Sequence, residues 1–227
     1  VLACIAAHWI SWRRPRALQY AARWVVEGLM RVALDPLAPS ARYRRDEVSP
    51  YLWPNGKSPT CDEWLRLAEE GFRDYRLKVH GLVENPIELS MDEIRALGKQ
   101  EQITMHHCIQ GWSGIAEWGG LPLSRLVDLV RPAPEVRYVV FRSFGEGLHG
   151  GEYYDCHTLT NILHPQSLLA YERNGAPLEL LHGAPLRLRV ENQLGYKMVK
   201  WIRSIEFVAS VEQVGEGHGG KNEDDEY

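Results

Sequence analysis

The chain has 227 residues, 44% of them hydrophobic, 25% charged and 10% aromatic, with a formal net charge of −4. That is enough chain for one large domain or two small ones around a buried core, and the composition excludes a disordered, collagenous or low-complexity protein. The charge is uneven: residues 1–45 carry eight Arg against Glu27 and Asp35, and residues 215–227 carry five acids against Lys221, yet residues 1–214 sum to zero. A near-neutral body argues against a general nucleic-acid binder. The four cysteines, Cys4, Cys61, Cys108 and Cys156, form no CxxC pair, which argues against a disulfide scaffold or an iron–sulfur cluster.

Residues 1–12 are apolar and stop at Arg13-Arg14-Pro15-Arg16. The run is too short to span a bilayer; it reads either as a buried N-terminal helix or as the end of a span that starts upstream. In the second case the basic stop faces the cytoplasm. It is not a secretion signal, because its charges follow the apolar part. Residues 17–34 read as a helix with one narrow polar stripe, Gln19, Arg23, Glu27 and Arg31, whose other faces need cover from the domain, a partner or a membrane surface. Pro36 and Pro39 end it. These patterns divide the chain into a basic N-terminal segment over 1–45, a main domain over 46–210 and an acidic flexible tail over 211–227.

Residues 40–59 read as a polar linker that includes Tyr51-Leu52-Trp53-Pro54-Asn55-Gly56. Two capping boxes, Thr60 with Glu63 and Ser90 with Glu93, predict helix starts, and Gly98 predicts a stop. Alternation predicts strands over 75–83, 102–108, 137–143, 186–191 and 198–208, with short helices at 123–130 and 158–164. Gly145 to Gly151 reads as a flexible glycine-bounded loop. Many short strands with helices inserted between them predict an α+β fold instead of a doubly wound one.

Three groups of residues could carry chemistry. In the first, His106, His107 and Cys108 end a predicted strand before a Gly-containing loop, with His106 and Cys108 on one face. A thiolate there suits a soft metal; a free cysteine is also commonly a small buried hydrophobe. The second group is His149, Tyr153, Tyr154, Asp155, Cys156 and His157, which with His106 and Cys108 could form a tetrahedral zinc site. In the third, Arg187 and Lys200 flank a glycine-bearing loop. They suit an oxyanion such as phosphate, or are two solvated cations on sheet edges.

Taken in order, several segments resemble one family. They are His107-Cys108-Ile109-Gln110-Gly111-Trp112-Ser113, Trp118-Gly119-Gly120-Leu121-Pro122-Leu123, Pro165 to Tyr171, Gly183-Ala184-Pro185-Leu186-Arg187 and Gly195 to Trp201. The chain resembles the molybdopterin-dependent oxidoreductases of the sulfite oxidase superfamily. It is most similar to the bacterial branch that includes the protein-methionine-sulfoxide reductase catalytic subunits. The resemblance implies a sulfite-oxidase-type α+β fold of mixed sheets with inserted short helices, and a molybdenum–molybdopterin cofactor with Cys108 as the protein's thiolate ligand. It implies that Arg187 grips the pterin phosphate. His182, Ser143 (or its neighbour Phe144), Met198, Val199 and Lys200 would also contact the cofactor, as would Asn55 on weaker residue agreement. It also implies a tyrosine in the cleft, where Tyr153 and Tyr154 both fall and only one faces the metal, here taken as Tyr154, polarising a substrate oxygen.

The departures from the family bear on function. Sulfite-oxidising members place basic residues just after the ligand cysteine; here residues 109–113 carry no charge. The sulfoxide-reducing branch has an acidic residue where this chain has Gln110. After Val208 only a polar tail follows, so no immunoglobulin-like dimerisation domain is expected there, and no haem or iron–sulfur cluster is expected in this chain. The leading expectation is two-electron oxygen-atom transfer on a small-molecule S-oxide or N-oxide, with a membrane or haem redox partner and no nucleic-acid role. The alternatives are sulfite oxidation and a zinc-binding or electron-transfer module without turnover of its own. The sequence leaves the compartment open.

Overall fold

The structure, a computed structural model, describes residues 29, 42–108, 110–147, 151–211 and 214. After a 3-10 turn at Arg45–Glu47, the elements run α1 (Asp62–Glu69), β1 (Leu77–Gly81), β2 (Ile87–Leu89), α2 (Met91–Ala96), β3 (Gln100–His107) and β4 (Ser113–Pro122). They continue with α3 (Leu123–Val130), β5 (Tyr138–Glu146), β6 (Glu152–Thr158), α4 (Leu159–Ile162), β7 (Leu168–Arg173) and β8 (Ala176–Pro177). A 3-10 turn at Leu180–His182, β9 (Arg187–Arg189), a second such turn at Gly195–Lys197 and β10 (Ile202–Val208) complete the order.

The strands form two sheets. One has the order β2-β1-β10-β5-β6, the other β3-β4-β7-β8 with β9 also paired to β7. Only β1 and β10 pair in parallel; the other pairings are antiparallel. The fold is α+β, as its alternating short segments imply. The main core draws Val79, Val139, Phe141, Ile205 and Phe207 from the first sheet and Leu121, Leu169, Tyr171 and Leu188 from the second. Helix α3 joins it with Leu123, Leu126, Val127 and Val130, one face at helical spacing. A smaller cluster on the other face of the first sheet holds Val140, Cys156, Val208, Val211 and Val214.

The box at Ser90 and Glu93 forms as expected: the Ser90 hydroxyl accepts from the Glu93 amide at 3.2 Å, and the Glu93 carboxylate accepts from the Ser90 amide at 2.8 Å. The Thr60–Glu63 box does not, because α1 starts one residue later than that pairing needs, with Cys61 at its cap. Three strands, β4, β6 and β7, escape the period-two pattern. Each lies under cover over most of its length, and a strand buried on both faces has no polar face to alternate with.

Residues 42–60 are not a free linker. The Tyr43 amide donates to Ile103 O and the Ser49 amide to Ile115 O, so the segment is strapped across β3 and β4. Gly145 and Glu146 belong to β5; residues 148–150 of the expected loop lie outside the described residues. The same holds for the expected helix at 17–34, apart from Leu29, and for most of the acidic tail. At the tail's start, Val211 and Val214 are buried. Among the described residues, no helix is long and apolar enough to cross a membrane.

Candidate functional site

Cys108 follows the last residue of β3 and is buried, like His106 two residues before it, while His107 between them is exposed. This is the alternation expected of a strand end. Trp112 turns the chain back at this point: the Cys108 amide donates to Trp112 O at 2.9 Å. The strap over 49–56 brings in the next group. Leu52 is buried and wedges close to Gly114, and three residues on the Asn55 side-chain amide approaches the Cys108 sulfur at 3.7 Å. The Asn55 carbonyl in turn accepts from the Lys200 ammonium. One residue thus connects the thiol to the basic group 92 positions later in the chain.

Lys200 also donates to Leu181 O at 2.9 Å, and its ammonium lies 4.0 Å from the Trp201 ring centroid. Ser143 supports the same residue from β5, donating to Lys200 O at 2.7 Å while accepting from the Gly145 amide. Arg187 enters from β9 and is 4% exposed. It donates to His182 O at 3.1 Å and lies 4.8 Å from the Trp118 ring centroid, but its buried Nε has no partner among the described residues. Gly183 lies between the two cations. Its φ is +113°, and a Cβ there would sit 3.0 Å from Cβ of Lys200 and 3.1 Å from Cβ of Arg187, so only glycine lets them approach this closely.

The electrostatics of this group are unbalanced. Burial, then the nearby Arg189, lowers Arg187 to about 9. Burial, then Arg187, lowers Lys200 to about 7. Burial, then Arg173, lowers His182 to about 4. Each cationic form is disfavoured by desolvation and by its neighbours' like charge, a condition that an anion in the pocket relieves. The expectation of two solvated cations on sheet edges does not hold: Arg187 is buried, and Lys200 is half-buried with two backbone partners.

The remaining expected residues are distributed as follows. Met198 and Val199 are buried directly before Lys200, and Val199 O accepts from the Leu188 amide, which ties the segment to β9. Tyr154 is a correction. Side chains alternate across β6, and Tyr154 falls with Cys156 on the outer face, beside the smaller cluster, with the Arg142 guanidinium 5.6 Å from its ring centroid. The tyrosine on the site's side of the sheet is Tyr153, whose hydroxyl donates to Tyr196 O at 2.7 Å. The zinc grouping does not assemble either. Among the described residues no three His, Cys, Asp or Glu side chains are placed to hold a metal ion, and Cys156 faces away from Cys108's side. His149 lies outside the described residues.

Sequence reasoning passed over Arg189. It follows Arg187 by two, so the two share a face of β9, and both guanidiniums lie over Trp118, Arg189 at 4.4 Å. They are spent differently. Arg189, fully buried, grips the Glu191 carboxylate with two bonds of 2.9 and 2.6 Å and donates to His106 Nδ1 at 2.8 Å and Thr104 Oγ1 at 3.4 Å. The signal available in the sequence was Arg187-Leu188-Arg189 followed by Glu191.

Residues 65–214 match the family described as Oxidoreductase molybdopterin binding domain. The chain is 34% identical over 131 residues to the putative protein-methionine-sulfoxide reductase subunit YedZ1 of Azospira oryzae, a match covering 58% of this chain and 48% of that protein. It is 33% identical over 144 residues to the protein-methionine-sulfoxide reductase catalytic subunit MsrP of Xanthomonas axonopodis pv. citri, covering 59% and 45%. It is also 33% identical over 140 residues to the uncharacterized oxidoreductase YuiH of Bacillus subtilis, covering 61% and 67%. The chain spans about half the length of the first two. Among solved structures, the sulfane dehydrogenase SoxCD from Paracoccus pantotrophus matches with a TM-score of 0.54 at 23% identity, covering 62% of this chain and 40% of that one, a likeness of fold. With the match extending over most of the chain and the same α+β fold present, the chain belongs to the oxidoreductase molybdopterin binding domain family.

Proposed function

We propose that this domain holds molybdopterin with molybdenum on Cys108, and that it reduces a neutral S-oxide or N-oxide by two-electron oxygen-atom transfer. The observation that carries the reading is the pair of buried Arg187 and half-buried Lys200, with no acid paired to either among the described residues, and Lys200 joined to Cys108 through Asn55. The donor set fits the cofactor on three counts. Arg187 Nε is a buried donor without a partner among the described residues. Gly183, where a Cβ would sit 3.0 and 3.1 Å from the Cβ atoms of Lys200 and Arg187, lets the two cationic side chains start close together. The thiol that Asn55 ties to the cationic group belongs to Cys108, a residue at a strand end, where its sulfur can reach a metal.

In this reading Arg187, Lys200 and His182 would hold the pterin phosphate, and the backbone of Met198–Lys200 would contact the cofactor, with Ser143 fixing Lys200 O. When bound, molybdenum supplies a centre that accepts an oxygen atom while changing its oxidation state by two. For the substrate, the S–O or N–O bond breaks, the sulfur or nitrogen keeps the electron pair, and the oxygen leaves as water with two protons. The electrons come from a redox partner, which we take to be a membrane or haem protein. Residues 110–113 carry no charge, which suits a neutral oxide better than an anion such as sulfite. His106 does not supply the protons: its Nδ1 accepts from Arg189, and burial and the arginines push its pKa down to about 2.

Metal and pterin analysis of the purified full chain tests the cofactor, with molybdenum near one per chain expected. Assay with reduced viologen against a panel of S-oxides and N-oxides, and with sulfite and an electron acceptor, tests the reaction. Zinc in place of molybdenum overturns the first part, and sulfite oxidation without oxide reduction overturns the second.

A further inference from the structure

The turn Gly195–Lys197 leads directly into Met198–Lys200 and is gripped from two sides. From β6, Tyr153 donates to Tyr196 O at 2.7 Å, His157 Nε2 donates to Lys197 O at 2.9 Å, and Asp155 lies 3.8 Å from the Lys197 ammonium. Those three residues share one face of the strand. From the other side comes β3. A Cβ on Gly195 would lie 2.4 Å from both Cε1 and Nε2 of His106, so the imidazole edge rests on the Gly195 backbone. Behind the ring stands Arg189, its Nη1 2.8 Å from His106 Nδ1. A guanidinium only donates, so Nδ1 accepts and the ring proton sits on Nε2. Rotating the ring by half a turn replaces that acceptor with a carbon and breaks the bond. Arg189 cannot follow the ring, because Glu191 and Thr104 hold its other donors.

β3 is the terminal strand of its sheet, and among the described residues its outer edge is met by the strap at Tyr43 and by no other strand. The turn meets β3 without strand pairing, through the His106 ring and, 3.1 Å from a Cβ on Gly195, the His107 carbonyl oxygen. We propose that His106 is a positioning residue, a rigid spacer that Arg189 holds against Gly195 and that sets the separation between Cys108 and Met198–Lys200. The inference rests on Cys108 and Met198–Lys200 being two of the places where the protein holds the cofactor. A site built this way needs its supports placed to within about 0.5 Å, and one locked ring between two backbones supplies that.

The test uses the full chain, loaded with cofactor in the expression host, as wild type, His106→Asn, Gly195→Ala and the double variant. Asn keeps an acceptor for Arg189 but removes the ring edge that reaches Gly195; Ala pushes the ring away. Each single variant is expected to bind molybdenum roughly 10-fold or more weakly, as loss of a ligand-orienting group does. Each is also expected to shift the electron paramagnetic resonance spectrum and midpoint potential of the metal that remains. In the double variant the alanine methyl occupies the space left by the shorter side chain, and both readouts move back toward wild type. Single variants that melt at lower temperature yet keep wild-type occupancy, spectrum and potential overturn the proposal, as does a double variant worse than either. A wild-type protein without molybdenum overturns instead the reading on which the inference rests.

Discussion

Asn55 and Cys108 lie 53 residues apart, yet the Asn55 carboxamide stands 3.7 Å from the Cys108 sulfur. The contact joins the N-terminal strap to the end of β3. Because the same residue's carbonyl holds Lys200, the thiol and the cationic pocket are set relative to each other by one short stretch of backbone. Replacing Cys108 with Ser is expected to leave the melting temperature close to that of wild type and pterin still bound, while turnover is abolished. Pterin fluorescence after oxidative release, together with the viologen assay, checks this. Asn55→Ala removes a contact of about 0.5–1.5 kcal/mol and is expected to lower molybdenum occupancy with the fold intact.

Arg187 is a buried charge with no acid paired to it among the described residues, so its removal has opposite effects with and without cofactor. Arg187→Met is expected to lower cofactor affinity by about 2–5 kcal/mol, the cost of leaving the phosphate without its charge-assisted partner. In cofactor-free protein the same change removes a desolvated cation and supplies apolar volume, an exchange that is often neutral or stabilising. Calorimetric melting of the cofactor-free variant should therefore show no loss of stability. A large drop there would mean that Arg187 serves the fold.

Lys200 gives the pocket a pH dependence near neutrality. In the cofactor-free protein it titrates at about 7, against an ordinary value of 10.5. Below pH 7 both folded and unfolded chains carry the proton, and the folded state bears the full penalty of the buried charge. Between about 7 and 10.5 the unfolded chain binds a proton that the folded one lacks, so this group's contribution to stability rises with pH across that window. Anion binding reverses the preference by restoring the charge. The affinity of cofactor-free protein for inorganic phosphate is thus expected to fall as pH rises from about 7 to about 9, by at most roughly tenfold per unit. Titration calorimetry in wild type and Lys200→Met measures it, and the variant's profile should be flatter.

The two adjacent tyrosines of β6 should behave differently. Tyr153→Phe leaves the Tyr196 carbonyl without its buried donor, a loss of about 1–3 kcal/mol, and loosens the turn before Met198. Lower thermal stability together with reduced cofactor occupancy is expected. Tyr154→Phe alters the outer face of the sheet and should leave turnover at the wild-type level; a turnover loss confined to Tyr154→Phe would contradict the placement of its side chain.

What the sequence determined by itself was whatever depends on local pattern and on the order of short motifs. The Ser90–Glu93 box, the apolar face of α3, the strand running into Cys108 and the α+β alternation were all readable, since each is set by neighbours within a few residues. The ordered motifs from His107 to Trp201 were sufficient to identify the family. Tertiary structure decided what depends on burial and on distant partners. It turned Tyr154 outward and Tyr153 inward, because a strand covered on both faces carries no hydrophobic alternation to mark its sides. It divided two arginines on one face of β9 between two tasks: Arg189 meets Glu191, Thr104 and His106, whereas Arg187 keeps a donor unspent among the described residues. It also made a strap of residues 42–60, through backbone bonds to β3 and β4 that composition does not encode. A charged side chain's role depends on which partners desolvation leaves within reach, and Arg189 takes one of them, Glu191, from two residues on and the others, His106 and Thr104, from 83 and 85 residues away.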